Sequence, residues 1–176
     1  MGPTVQLRSR STQILGAGMV LMSLAGLASA VAAGTDAVLQ FGAPLALFGV
    51  LGWGAFWEPR VEVSDGGVTI VNTLRTVEIP WPAVQSVDGR YGLRLQTAYG
   101  PVNAWGAAAP AGRQRARGAQ SAAADAVNER LEMLREAGYL DGAQLERPAP
   151  RTVWHTPLIA ALVTLGLGTV LLPLLA

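Results

Sequence analysis

Three stretches of this chain lack ionised side chains for long enough to cross a bilayer, and they constrain everything between them. No residue from Ser11 to Thr35 is charged, and the apolar run Ile14 to Ala33 is about 20 residues, which as a helix covers roughly 30 Å of hydrocarbon. Ala37 to Trp57 repeats the pattern after only Gly34, Thr35 and Asp36, a connection short enough for a tight helical hairpin. Thr152 to Ala176 carries no formal charge, and Pro157 suits the first turn of a third helix. These runs predict spans over about 13–34, 37–57 and 156–175, with 1–57 forming a tail and hairpin and 141–176 a linker and third span. Arg8 and Arg10 ahead of an apolar stretch, with Ala28-Ser29-Ala30 near its end, also fit a cleaved signal peptide. The brevity of the 34–36 turn favours a retained helix.

Orientation follows from arginines near the span ends. Arg8 and Arg10 precede the first, Arg60 follows the second, and Arg147 and Arg151 precede the third, which predicts that the N-terminus and the central segment are cytoplasmic. Trp53, Phe56 and Trp57 at the end of the second span and Trp154 near the start of the third are expected as interfacial anchors, with Trp53, Trp57 and Trp154 the principal ones.

Composition removes several function classes. The formal charge of +1, with all 13 basic residues arginine, gives no basic helix to follow a phosphate backbone, so nucleic acid is not an expected partner. Without cysteine the chain has no disulfide, thiolate metal site or thiol nucleophile, and His155 is its single histidine. No cofactor is expected.

Between Glu58 and Ala107 the pattern changes to short alternating runs rich in β-branched residues. Arg60 to Ser64 and Val68 to Asn72 flank Asp65-Gly66-Gly67 as a hairpin. Thr76 to Ile79 leads to Pro80-Trp81-Pro82, a bend or sheet edge that buries Trp81. Val84 to Val87, Tyr91 to Thr97 and Val102 to Trp105 complete six strands, with Tyr91, Leu93 and Leu95 expected on one face. Residues 107–118 read as a mobile loop. A helix over 121–137 follows, with Ser121 as N-cap, Val127, Leu131 and Leu134 as its apolar stripe, and Gly138 as its stop, where Tyr139 and Leu140 fold back on the helix end. The stripe is expected to cover the sheet rather than lie on lipid, since glutamates nearly balance arginines on the polar side. Residues 58–140 therefore read as an α+β domain with Trp81, Leu93, Leu95, Val127, Leu131 and Leu134 in its core.

This order of elements resembles the bacterial PH domain family, in particular the actinobacterial membrane-associated group that includes the low-molecular-weight protein antigen 6 proteins. The likeness rests on Phe56-Trp57-Glu58-Pro59, Val61 to Val68, Asn72 to Val77, Ile79-Pro80-Trp81, Tyr91 to Leu95 and Ala104-Trp105, and covers roughly residues 13 to 140. It implies a PH-like antiparallel β-barrel or sandwich with a C-terminal helix, without enzymatic activity. Six strands are readable where a full PH fold has seven, and the third span is not part of what the resemblance implies.

Candidate chemistry is sparse. Arg113, Arg115 and Arg117 form a basic cluster that could draw anionic lipid at about 1 kcal/mol per charge, or be merely solvated. Arg75, Arg90 and Arg94 are candidates for a headgroup pocket. Asp65-Gly66-Gly67 reads as a turn before it reads as a phosphate or metal loop. His155 lacks partners for a metal or triad, and nothing brings Glu78 and Asp88 together as a catalytic pair. Gly16, Gly18 and Gly26 with Ala17 and Ala25 offer a close-packing face for helix association. The expected function is a non-enzymatic membrane-anchored module, partnered by the bilayer and by a membrane or cytosolic protein. The alternative is a structural subunit of a transport or cell-envelope complex whose spans make the main contacts.

Overall fold

The computed structural model describes residues 4–110, 112–116, 118–140 and 148–174. In chain order the elements are β1 (Val5–Leu7), α1 (Arg10–Ala33), α2 (Thr35–Gly52), β2 (Arg60–Val63), β3 (Gly67–Val71), β4 (Arg75–Pro80) and β5 (Val84–Asp88). They continue as β6 (Leu93–Thr97), β7 (Gly100–Ala104), α3 (Gly112–Ala116), α4 (Ala122–Glu136), β8 (Arg151–Trp154) and α5 (Thr156–Leu171). Two compact units result, Met1–Ser9 with Pro59–Trp154 and Arg10–Glu58 with His155–Ala176.

The helical unit contains three helices long and apolar enough to cross a membrane: Arg10–Ala33, Thr35–Trp57 and Thr156–Leu174. Gly34, at φ 107°, turns α1 into α2. Gly16, Ser23 and Ala30 are buried at heptad spacing on α1. Opposite them α2 offers glycine: a Cβ at Gly49 would lie 2.5 Å from Ser23 Oγ, and one at Gly52 would lie 2.6 Å from Met19 Cβ. The Ser23 hydroxyl donates to the Leu45 carbonyl at 2.8 Å, and a Cβ at Gly16 would lie 2.9 Å from the Gly52 carbonyl oxygen, so the two backbones approach closely. At its end α2 widens into a π turn, Trp53–Trp57, closed by the Glu58 N–H on the Trp53 carbonyl at 3.2 Å. Elsewhere Ile14, Leu21, Val31, Phe41, Val163 and Val170 are exposed, and α5 buries none of its residues.

The other unit is mixed α+β with two antiparallel sheets, β1-β2-β3-β4-β8 and β5-β6-β7. Alternation builds it: Val61, Val63, Val68, Ile70, Val77 and Ile79 from the first sheet and Leu93 and Leu95 from the second join one buried cluster. Val127 and Leu131 of α4 complete that cluster, and Leu134 is only partly buried at its margin. Trp81 is buried in a short 3-10 turn, and its indole N–H donates to the Ser64 carbonyl at 2.9 Å. Ser121 caps α4 by accepting the Ala124 N–H at 3.2 Å while donating to the Gly92 carbonyl at 2.7 Å, which ties the helix to the connection between β5 and β6. The helix ends at Gly138, φ 73°, with its N–H on Arg135 and the Tyr139 N–H on Leu134, a Schellman closure.

Four expectations need correction. Eight strands are formed among the described residues, not six: β1 pairs with β2, with Val5 opposite Val63, and β8 pairs with β4, with Arg75 opposite Trp154. Both extra strands lie outside 58–140, so the sheet recruits chain from either side of that segment. Tyr91 does not share a face with Leu93 and Leu95; it is exposed, because Gly92 at φ 112° breaks the alternation ahead of β6. The 107–118 segment is not wholly loop, since Gly112–Ala116 is helical, as arginine, glutamine and alanine there permit. Of the two residues after the stop, Leu140 packs on the core while the Tyr139 side chain is exposed.

Candidate functional site

The strand register gathers the chain's junctions at one end of the five-stranded sheet. Leu7 stands opposite Val61, Arg60 opposite Val71, Val71 opposite Thr76, and Arg75 opposite Trp154. The ends of β1 and β8 and the start of β2 therefore lie together. From that end Arg8 and Ser9 lead to α1, Glu58 and Pro59 come from α2, and His155 leads to α5.

The hairpin turn between β3 and β4 belongs to the same end. Asn72 is buried there and clamps the two sheets: its Nδ2 donates to the Asn103 carbonyl at 2.9 Å, and its Oδ1 accepts the Trp105 N–H at 2.8 Å. Around this clamp Leu74, Arg75, Trp105 and Trp154 are exposed on the rim of a pocket of about 220 Å³, with Pro101 and Asn103 on its wall. The Arg75 guanidinium carbon lies 5.8 Å from the centroid of the Trp154 ring, within cation–π range. Among the described residues no carboxylate forms an ion pair with Arg75.

The other candidates fall elsewhere. Arg113 is exposed on α3; Arg115 shares that helix at a backbone position roughly 200° around the axis, and Arg117 lies outside the described residues. Arg94 belongs to the smaller sheet, opposite Asp88 and Asn103, and Arg90 follows β5, where its N–H donates to Asp88 Oδ1 at 3.0 Å. The proposed trio with Arg75 is thus divided between the sheets. Glu78, opposite Thr69 and Arg151, and Asp88 are divided in the same way. Asp65-Gly66-Gly67 is a hairpin turn, with Ser64 bonded to the Gly67 carbonyl and Asp65 ion-paired to Arg130 of α4 at 3.1 Å. That pair borders a second cavity, about 480 Å³, together with Trp81, Leu134, Tyr139 and Leu140. His155 caps α5, accepting the Ile159 N–H on its carbonyl at 3.0 Å. Trp53 and Trp57 stack with centroids 5.9 Å apart. Among the described residues no three His, Asp or Glu side chains group as metal ligands.

Sequence reasoning passed over Leu74 and Asn72 and saw in Trp154 only an anchor. The signal was Asn72-Thr73-Leu74-Arg75, a turn that places an apolar residue where a polar one is usual.

Two antiparallel sheets over one core, with a single long helix packed on them, define a small α+β domain, in a chain that also has helices apolar enough to cross a membrane. Residues 58–135, from the entry into β2 through nearly all of α4, match the family model described as Bacterial PH domain. The match does not extend to β1, β8 or the spans, and the antigen 6 likeness remains a resemblance. No curated protein and no solved structure matches the chain.

Proposed function

We propose that this chain is a non-catalytic, membrane-anchored PH-like module that holds its β-domain on the cytoplasmic face and acts by binding a protein partner or the bilayer surface. The observation that carries this reading is the pairing of β1 with β2 across the helical hairpin. If α1 and α2 cross the membrane, strands on either side of them can pair only after an even number of crossings, so the N-terminus and the domain share a side. Cleavage after Ala30 would remove both β1 and the helix whose Ser23 bonds α2, which argues for retention of the first span. The arginine bias then assigns the shared side to the cytoplasm. Closure of the two sheets as a PH-like barrel or sandwich belongs to the same proposal.

The test uses the absence of cysteine. Single cysteines at Thr35, Gln114 and Ala176 are labelled in intact cells with an impermeant maleimide; labelling at 35 and 176 but not 114 is expected. Labelling at 114 would overturn the cytoplasmic assignment.

A second reading, a structural subunit whose spans make the main contacts, draws on the exposed apolar faces of α1, α2 and α5. Cross-linked partners that survive replacement of residues 60–154 by a flexible linker would favour it over the module.

A further inference from the structure

We propose that α2 carries a seam for a second copy of this chain, in which the Gln40 amides of the two copies bond each other across two parallel spans. The inference rests on the reading of α1, α2 and α5 as membrane spans and adds a partner to it.

Within the helical unit α2 is occupied on two sides. Toward α1 it presents Leu45, Gly49 and Gly52, which meet Gly26, Ser23 and Gly16. Toward α5 it presents Ala43, and a Cβ on Gly168 would lie 3.2 Å from the Ala43 Cβ. At about 100° per residue the remaining arc holds Ala37, Gln40, Phe41, Pro44, Phe48 and Leu51. None of the six is buried, and Gln40, Phe41, Phe48 and Leu51 are exposed. Ala37, Gln40, Pro44, Leu47 and Leu51 follow one another at alternate steps of three and four, the spacing of a seam between helices.

Polarity singles out Gln40 on this arc. The span Thr35–Trp57 has 23 residues and is about 34 Å long against roughly 30 Å of hydrocarbon. Gln40, five residues beyond Thr35, is then about 5 Å inside the apolar layer when the span is centred. Ser23, Ser29 and Thr169 bond the carbonyls of Leu45, Ala25 and Leu165 within the unit. The Gln40 amide, with two donor hydrogens and an acceptor oxygen, makes no hydrogen bond to any described residue. Pro44 adds to the deficit, because it lacks the N–H that would close the helical bond on the Gln40 carbonyl. Polar groups left unbonded in hydrocarbon are strongly unfavourable.

A second copy answers both needs. Identical chains insert with the same topology, so a two-fold axis along the membrane normal sets each α2 residue beside its counterpart at equal depth. A carboxamide is its own complement: the NH2 of one Gln40 donates to Oε1 of the other, and the main-chain carbonyl at 40 stands by as a second acceptor. A single polar residue in an apolar seam also fixes register, since sliding one helix past the other would leave both amides unbonded.

The experiment uses the full chain, which has no native cysteine, in proteoliposomes. Copies labelled separately with donor and acceptor dyes at Tyr99→Cys are mixed, and energy transfer is followed as added lipid dilutes the protein. Transfer is expected, and Gln40→Leu should weaken the association by roughly three- to tenfold, the range for one hydrogen-bonded pair between spans. Oxidative cross-linking of single cysteines maps the face. Phe48→Cys and Leu51→Cys should link to their counterparts, while Leu21→Cys and Val163→Cys, on exposed faces of α1 and α5, should not. No transfer from a chain that resists alkaline carbonate extraction would overturn the seam and leave the spans standing. Release of the chain by carbonate would overturn the spans and the seam with them. Association undiminished in Gln40→Leu is the result expected if the amide reaches the headgroups instead, and it refutes the bond. Cross-linking as strong at 21 or 163 as at 48 and 51 refutes the face, and either result overturns the proposal.

Discussion

Asn72 is the most informative single residue to remove, because one buried side chain there joins the two sheets. Asn72→Ala deletes the bond from Nδ2 to the Asn103 carbonyl and the bond from the Trp105 N–H to Oδ1. Each bond contributes about 0.5–1.5 kcal/mol net, and the two backbone groups left behind are near enough to solvent for partial rehydration, so the total loss is about 2 kcal/mol. A loss of that size corresponds to roughly 30-fold faster opening of the affected amides. Hydrogen exchange of the full chain in nanodiscs reads it directly. Amides of β7 and of the turn between β3 and β4 should accelerate together, while those of α1 and α2 remain unchanged. Asn72→Asp keeps the acceptor for Trp105 but loses the donor to Asn103, and should show about half the effect in free energy. If β7 keeps its protection in Asn72→Ala, the bonds do not join the sheets and the reasoning fails.

Three further outcomes are expected. Leu95, fully buried between the sheets, should cost about 2–5 kcal/mol as Leu95→Ala, read as a lower denaturant midpoint for the domain. Gly67→Ala combines a φ of 155° with a Cβ driven against the Ile79 carbonyl oxygen, and should destabilise the hairpin between β2 and β3 by about 3 kcal/mol, measured by the same denaturation. Gly49→Leu places side-chain atoms where Ser23 now lies and should push α1 and α2 from backbone contact toward ordinary separations of about 8–10 Å, read as a longer distance between spin labels at Leu15 and Leu51.

What the sequence made legible was local. The alternation around Asp65-Gly66-Gly67 needs only nearby residues to form a hairpin, and Ser121, Val127, Leu131 and Gly138 define a helix within a few turns; the structure has β2 and β3 about that turn and α4 over Ala122–Glu136. The strands β1 and β8 were illegible because each is short and pairs with a partner far along the chain, with no turn between them to announce it. The same cause hid the site. Trp154 beside a predicted span reads as an anchor, and Arg75 among other arginines reads as part of a basic group. Only the pairing of β4 with β8 places one beside the other. Tyr91 failed for a different reason: alternation assumes extended backbone, and Gly92 interrupts it.

The two outer strands, β1 and β8, also bear on how the domain is completed. Three residues of β1 and four of β8 are too few to hold a sheet edge on their own account, and β8 is exposed throughout. Each is covalently continuous with a helix apolar enough to span, so insertion of that helix would confine the strand close to the edge it must join. Confinement lowers the entropy of pairing without any new contact, in the manner of an intramolecular ligand. Both edges of the larger sheet would then be occupied by short tethered strands, which leaves less free edge for pairing with another chain. On this argument insertion of the flanking helices would do more than anchor the chain: it would favour the pairing of β1 with β2 and of β8 with β4 that completes the larger sheet.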